Sequence, residues 1–148
     1  MAIVRVTAQD FDPGHELAGL AVPGAGGLAS FIGVVRSETG SPLAALTLEH
    51  YPGMTEAAIL KIAEQAELRF SLLACSIVHR YGRLTPGARI VFCGAAAPHR
   101  AAALQATEFL IDWLKTSAPF WKKEEFISGE ARWVMASHAD DAAVETWQ

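Results

Sequence analysis

Two short stretches carry the residue types from which a reactive site can be built. The first is LKTSAPFWKKEE, residues 114–125, where Lys115 precedes Pro119 and Lys122 and Lys123 follow the bulky pair Phe120 and Trp121. A lysine held against an apolar wall loses hydration, its proton affinity falls, and it becomes competent for acid–base work. The same lysine turned to solvent does no more than face the negative end of the helix dipole. Helical spacing places Lys115 with Glu108 and Asp112, on the side away from Leu104, Ile111 and Leu114, so the sequence leaves both roles open. The second stretch is Pro98-His99-Arg100 at the start of a long helical pattern. Free backbone N–H groups there favour an anion, and the His and Arg side chains add donors for a phosphate or carboxylate. A solvated helix start would look the same.

Other chemistries find less support. Cys75 and Cys93 both fall in apolar strand-like runs, where a free cysteine is a small buried hydrophobe rather than a nucleophile. No serine sits in a nucleophile-elbow context, and the glycines of residues 24–27 precede a strand rather than a phosphate-binding helix. The five histidines, His15, His50, His79, His99 and His138, show no zincin-type spacing. Cys75 and His79 can share a strand face but supply only two ligands, so no metal site is expected.

The charge distribution supports an anion-binding surface. Between residues 79 and 123 there are seven basic side chains (Arg80, Arg83, Arg89, Arg100, Lys115, Lys122, Lys123) and two acids, whereas the other 103 residues hold five basic and fourteen acidic ones. A net charge of -4 excludes a generally basic nucleic-acid binder, yet one cationic stretch in an acidic chain concentrates anionic ligand locally. With 148 residues the chain has the size of one domain, residues 1–148. Half of its residues, 51%, are hydrophobic, enough for a core. No apolar run approaches the roughly 20 residues of a membrane span, and the first residues lack the pattern of a secretory signal. Two cysteines make no disulfide framework, so a cytoplasmic location is expected.

The elements that must position these residues follow from periodicity and punctuation. Strands are predicted at residues 3–7, 28–36, 44–50, 75–80 and 89–97, and a hairpin pairs 122–127 with 132–136 across SGEA. Asp12 caps a short helix that begins with Pro13 and runs to about Leu20. Residues 55–70 form a helix whose apolar face is Ile59, Ile62, Ala63, Ala66 and Phe70. Residues 99–116 form the second long helix, with Leu104, Thr107, Ile111 and Leu114 inward. Residues 37–42 and the stretch YGRLTPGA read as turns, and Asp140 caps a short C-terminal helix. Strands and helices mix without strict alternation, which predicts an α+β domain with a mixed, largely antiparallel sheet.

Taken together, LASFIGVVR, LTLEHYPGMTE, VHRYGRLTPG, APHRAAA, LKTSAPFWKKE and RWV occur in one order across one small domain. In these strings the chain resembles the catalytic (large) subunit family of molybdopterin synthase, from about Ala2 to Val134. The resemblance implies an α/β hammerhead fold and a sulfurtransferase that converts cyclic pyranopterin monophosphate to molybdopterin. Sulfur would arrive as the C-terminal thiocarboxylate of a ubiquitin-like small subunit. It implies a homodimer within a heterotetramer, no resident cofactor, no metal, and neither nucleic acid nor membrane as partner. A non-catalytic module that docks a ubiquitin-like tail or an anionic ligand is the alternative, and a phosphoester hydrolase built on His99 is a third reading.

By the same resemblance Lys115 and Lys122 are catalytic. Val34, Val35, Arg36, His99, Arg100, Lys123 and Glu124 join them in binding substrate, and Phe31 and Ile111 wall the pocket. Arg36, His99 and Arg100 suit a phosphate. The two lysines suit charge developing at the thiocarboxylate carbonyl and proton transfer during sulfur attack. Sixteen residues separate His99 from Lys115, about 24 Å along one helix at 1.5 Å per residue. A composite site is therefore expected, with Arg36, Lys115 and Lys122 from one subunit and His99 and Arg100 from another. The family's further basic residue shortly after RWV is missing here, where Met135, Ala136, Ser137 and His138 stand, and the loop 37–42 is short.

Overall fold

The computed structural model describes residues 2–134 and 138–147, the side chains of 138–141 excepted. Met135, Ala136 and Ser137, together with the side chains of His138 and Asp140, lie outside the described residues. In chain order the elements are β1 (Ala2–Thr7), α1 (Pro13–Ala18), β2 (Gly27–Val34), β3 (Leu43–His50), α2 (Met54–Phe70), β4 (Ala74–Arg80), β5 (Gly82–Leu84), β6 (Arg89–Ala97), α3 (Arg100–Thr116), β7 (Phe120–Phe126), β8 (Ala131–Trp133) and α4 (His138–Glu145). The α+β class holds.

Two four-stranded sheets form where one was expected. The first has the order β1-β4-β6-β2, parallel between β1 and β4 and antiparallel elsewhere. The second, β5-β3-β7-β8, is antiparallel throughout. The split follows from YGRLTPGA, which is more than a turn. Its first residues leave β4 at Arg80, and Gly82 (φ 94°) lets β5 pair with β3, with Leu46 opposite Leu84. A left-handed backbone angle of that kind is open to glycine at little cost. Leu84 is thereby buried in the core shared by both sheets.

Strands β4 and β6 lie inside the first sheet and are buried along nearly their whole length, so their runs are continuously apolar rather than alternating. Helix α2 buries Ile59, Ile62, Ala63 and Ala66, as its spacing predicts. Helix α3 buries Ala103, Ala106, Thr107, Phe109, Leu110 and Leu114, so Thr107 and Leu114 of the predicted face are inward and Ile111 packs partly buried against the core, but Leu104 is 60% exposed. The small side chains of Ala95–Ala97 let α3 sit close through its own alanines, which rotates Leu104 outward. Asp12 Oδ1 accepts from the N–H groups of Gly14 (3.0 Å) and His15 (3.4 Å), the expected cap on α1. Helix α4 begins at His138, so Asp140 lies inside it rather than at its cap.

Candidate active site

Strand register and the direction of α3 decide which predicted residues can meet. In the β2–β6 ladder Gly27 faces Ala97 and Val34 faces Arg89, so Arg36 leaves β2 at the end of the sheet opposite His99. Helix α3 starts at the Ala97 end, where a Cβ on Gly27 would lie 3.1 Å from the Arg100 Cα. It then runs back along both strands. Midway, the Thr107 hydroxyl donates to the carbonyls of Ala103 (2.8 Å) and Ala29 (3.4 Å), and the Cys93 thiol lies 3.9 Å from the Thr107 carbonyl. Lys115, in the last turn, therefore emerges at the same end as Arg36. His99 and Arg100 remain at the far end, exposed beside Gly26 and Pro98 around an open depression of about 450 Å³. Within one chain the predicted residues form two groups, and α3 is the continuous spacer between them.

At the Lys115 end the two sheets supply an imidazole and aromatic wall. Thr55, fully buried, accepts from the Tyr51 N–H (3.0 Å) and lies 3.5 Å from the Pro119 carbonyl, which ties the start of α2 to the start of β7. His50 stands opposite Phe120 in the β3–β7 ladder. Its ring centroid is 4.4 Å from Tyr81 and 6.1 Å from Phe120, and its buried Nδ1 has no hydrogen-bond partner among the described residues. The His79 ring stacks on Phe120 at 3.9 Å, and its Nδ1 is 2.9 Å from the Arg80 carbonyl. That contact makes Nδ1 the protonated nitrogen of a neutral ring. Burial pushes the His79 imidazole down to about 3. The Arg80 carbonyl opposes that shift, and the charges of Lys122, Lys115 and His50 add to it. Both lysines thus stand close enough to His79 to act on it electrostatically. Sequence reasoning weighed His50 and His79 only as metal ligands. The signal it passed over was the strand alternation that puts His50 and Leu48 on the face shared with Phe120 and Lys122.

The remaining predicted residues are distributed as follows. Lys122 and Glu124 share one face of β7, while Lys123 projects from the other, its Nζ 6.0 Å from the Trp133 ring. Glu124 pairs with Arg132 at 3.2 Å. Arg36 pairs with Glu38 at 2.9 Å and stays largely exposed. Val34 is exposed on β2. Val35 turns into the core, and its N–H and C=O are taken up by Ala88 and Gly87. Ile111 is half-buried on α3, and Phe31 is exposed on β2. Desolvation raises the Cys75 and Cys93 thiols to about 12, so neither is a nucleophile at neutral pH. Among the described residues no three His, Cys, Asp or Glu side chains gather to hold a metal, and no helix is long and apolar enough to cross a membrane.

A family model described as MoaE protein matches residues 6–117, three quarters of the chain. The chain belongs to the MoaE family. Among curated MoaE relatives, the molybdopterin synthase catalytic subunit of Rhizobium meliloti is 50% identical over 147 residues, which span 97% of this chain and 94% of that protein. The molybdopterin synthase catalytic subunit of Escherichia coli is 44% identical, with 97% of each chain covered. Of solved structures, the molybdopterin biosynthesis MoaE protein of Burkholderia ambifaria superposes with a TM-score of 0.84 at 48% identity, covering 99% of this chain and 98% of that one. The MoaE fold and its near full-length relatives account for the long strings on which the resemblance rested.

Proposed function

We propose that this chain is the catalytic subunit of a molybdopterin synthase. In this reading it transfers sulfur from the C-terminal thiocarboxylate of a ubiquitin-like small subunit to cyclic pyranopterin monophosphate, in the cytoplasm. The observation that carries the reading is that Lys115, from the end of α3, and Lys122, from β7, both lie within electrostatic reach of the buried, neutral His79 ring. Two ammonium groups held beside a buried uncharged wall suit an acyl sulfur donor. They draw the anionic thiocarboxylate in as its sulfur bonds to the pterin carbon. They stabilise charge at the carbonyl oxygen when water then cleaves the acyl carbon–sulfur bond of the resulting thioester, leaving the sulfur on the pterin and the tail as a carboxylate. An ammonium is able to donate a proton to the departing group. The chain needs no nucleophile of its own, because the partner carries the sulfur. Its inert cysteines are consistent with that division.

Phosphate recognition calls for a second copy. Arg36 lies on the lysine side, and His99 and Arg100 are about 24 Å away along α3. Strand β2 is an edge of its sheet, and Leu28, Phe31, Ile32 and Val34 on it are exposed, as is Leu104 on the neighbouring α3. An apolar edge of this kind is normally covered by another chain. A homodimer across it would bring His99 and Arg100 of one chain toward the Arg36 and Lys115 end of its mate.

The test is reconstitution of the purified chain with cyclic pyranopterin monophosphate and a thiocarboxylated small subunit, reading dithiolene product by mass spectrometry. Product that is lost on Lys115→Ala substitution is the expected result. A verified complex that makes no product would leave a docking module as the better reading.

A further inference from the structure

Asp112 and Lys115 are three residues apart on α3, a spacing at which opposite charges on a helix surface pair readily. They do not pair here. Asp112 Oδ2 instead accepts the indole N–H of Trp147 at 2.7 Å, a charge-assisted bond. Trp147 is itself fixed from several sides. Its carbonyl accepts from Arg69 Nη1 on α2 at 2.8 Å, and its ring packs edge-on to Phe70 (5.9 Å) and Phe109 (5.6 Å). The Arg69 guanidinium lies 5.4 Å from the ring centroid. Lys115 is half-buried and has no ion pair or hydrogen bond of its own among the described residues. Besides Asp112, the ionisable groups around it are Glu108 two turns back on α3, Lys122 on β7, His79 on β4 and, beyond it, His50 on β3. Of these only Asp112 and Glu108 are acidic, and only Asp112 is within one helical turn.

We propose that Trp147 is a positioning residue for the lysine site: its indole N–H holds the Asp112 carboxylate away from Lys115 and so keeps that ammonium available to an incoming anion. The far C-terminal end of the chain thereby takes part in a site to which it contributes no reacting group. Released from Trp147, the carboxylate would pair with Lys115 and compete with the anionic tail. The inference rests on the proposed role of Lys115.

Trp147→Phe keeps the ring packing and removes the donor. In the complex reconstituted with thiocarboxylated small subunit it should lower kcat about 3- to 10-fold with KM for the pterin little changed. In an Asp112→Asn background there is no carboxylate to release, so adding Trp147→Phe should leave kcat unchanged. Equal losses in both backgrounds would mean that Trp147 only packs, and the inference falls. It falls too if Trp147→Phe matches wild type while Lys115→Ala is inactive. An active Lys115→Ala variant would instead remove the role proposed for the lysine itself.

Discussion

Replacing His79 by Phe separates what its ring contributes by shape from what it contributes by staying uncharged. The ring is 4% exposed, stacked on Phe120 and bonded to the Arg80 carbonyl, and burial holds it at about 3 against an ordinary value of 6.5. The unfolded chain therefore takes up a proton at His79 below pH 6.5 while the native chain does not. The stability this residue supports is fully present above 6.5, falls as the pH drops, and stops falling only near 3. Near pH 4.5, two units below the unfolded value, the loss is about 3 kcal/mol at 1.36 kcal/mol per unit. Phe preserves the stacking and cannot titrate. It gives up the bond to Arg80, worth about 1 kcal/mol. The variant should thus be about 1 kcal/mol less stable than wild type at pH 7 and roughly 2 kcal/mol more stable near pH 4.5. Urea unfolding followed by tryptophan fluorescence, at one protein concentration and both pH values, reads the two differences directly. Carboxylates are common to both proteins and cancel. A wild-type minus variant difference that does not change with pH would show that His79 is not held neutral, and the uncharged wall behind the lysines would be lost with it.

Two further outcomes follow from the same geometry. Mixed dimers carrying Lys115→Ala in one chain and Arg100→Ala in the other, isolated through two different tags, contain one intact composite site and should show about half of wild-type activity. Complete inactivity in verified mixed dimers would mean that each chain builds its site alone. Native protein should resist alkylation by iodoacetamide at neutral pH, since both thiols are raised to about 12 by burial, and should keep its synthase activity after treatment. Stoichiometric labelling of folded protein with loss of activity would overturn the assignment of Cys75 and Cys93 to the core.

Most elements were legible because their signals are local. The Asp12-Pro13 cap, the apolar face of α2 and the β6 run from Arg89 to Ala97 are each written in adjacent residues. What escaped depends on partners distant in sequence. YGRLTPGA has every mark of a turn, and only the presence of β3 beside it makes part of it a strand. Leu104 fits an inward face by spacing, yet the alanines of β6 and α3 let the helix settle about a residue's rotation away, which leaves a large apolar side chain outside. Periodicity cannot report that rotation, because Ala103 and Leu104 both score as apolar and differ only in how closely they let backbones approach.

The site divides in the same way. Lys115, Lys122, His99 and Arg100 stand in strings that point to chemistry, whereas His50, His79 and Asp112 acquire meaning only through the partners the fold assigns them. His79 resembles a metal ligand until Phe120 is stacked against it, and Asp112 resembles the natural counter-ion of Lys115 until Trp147 takes its carboxylate. Both contacts act in one direction. A neutral imidazole adds no charge to the wall behind the lysines, and an occupied carboxylate withdraws a negative charge from beside one of them. Each limits the charge that competes for an anion beside Lys115, which is the condition an anionic sulfur donor requires. Lys115 can be read from its spacing, but its availability is a property of the residues that do not pair with it.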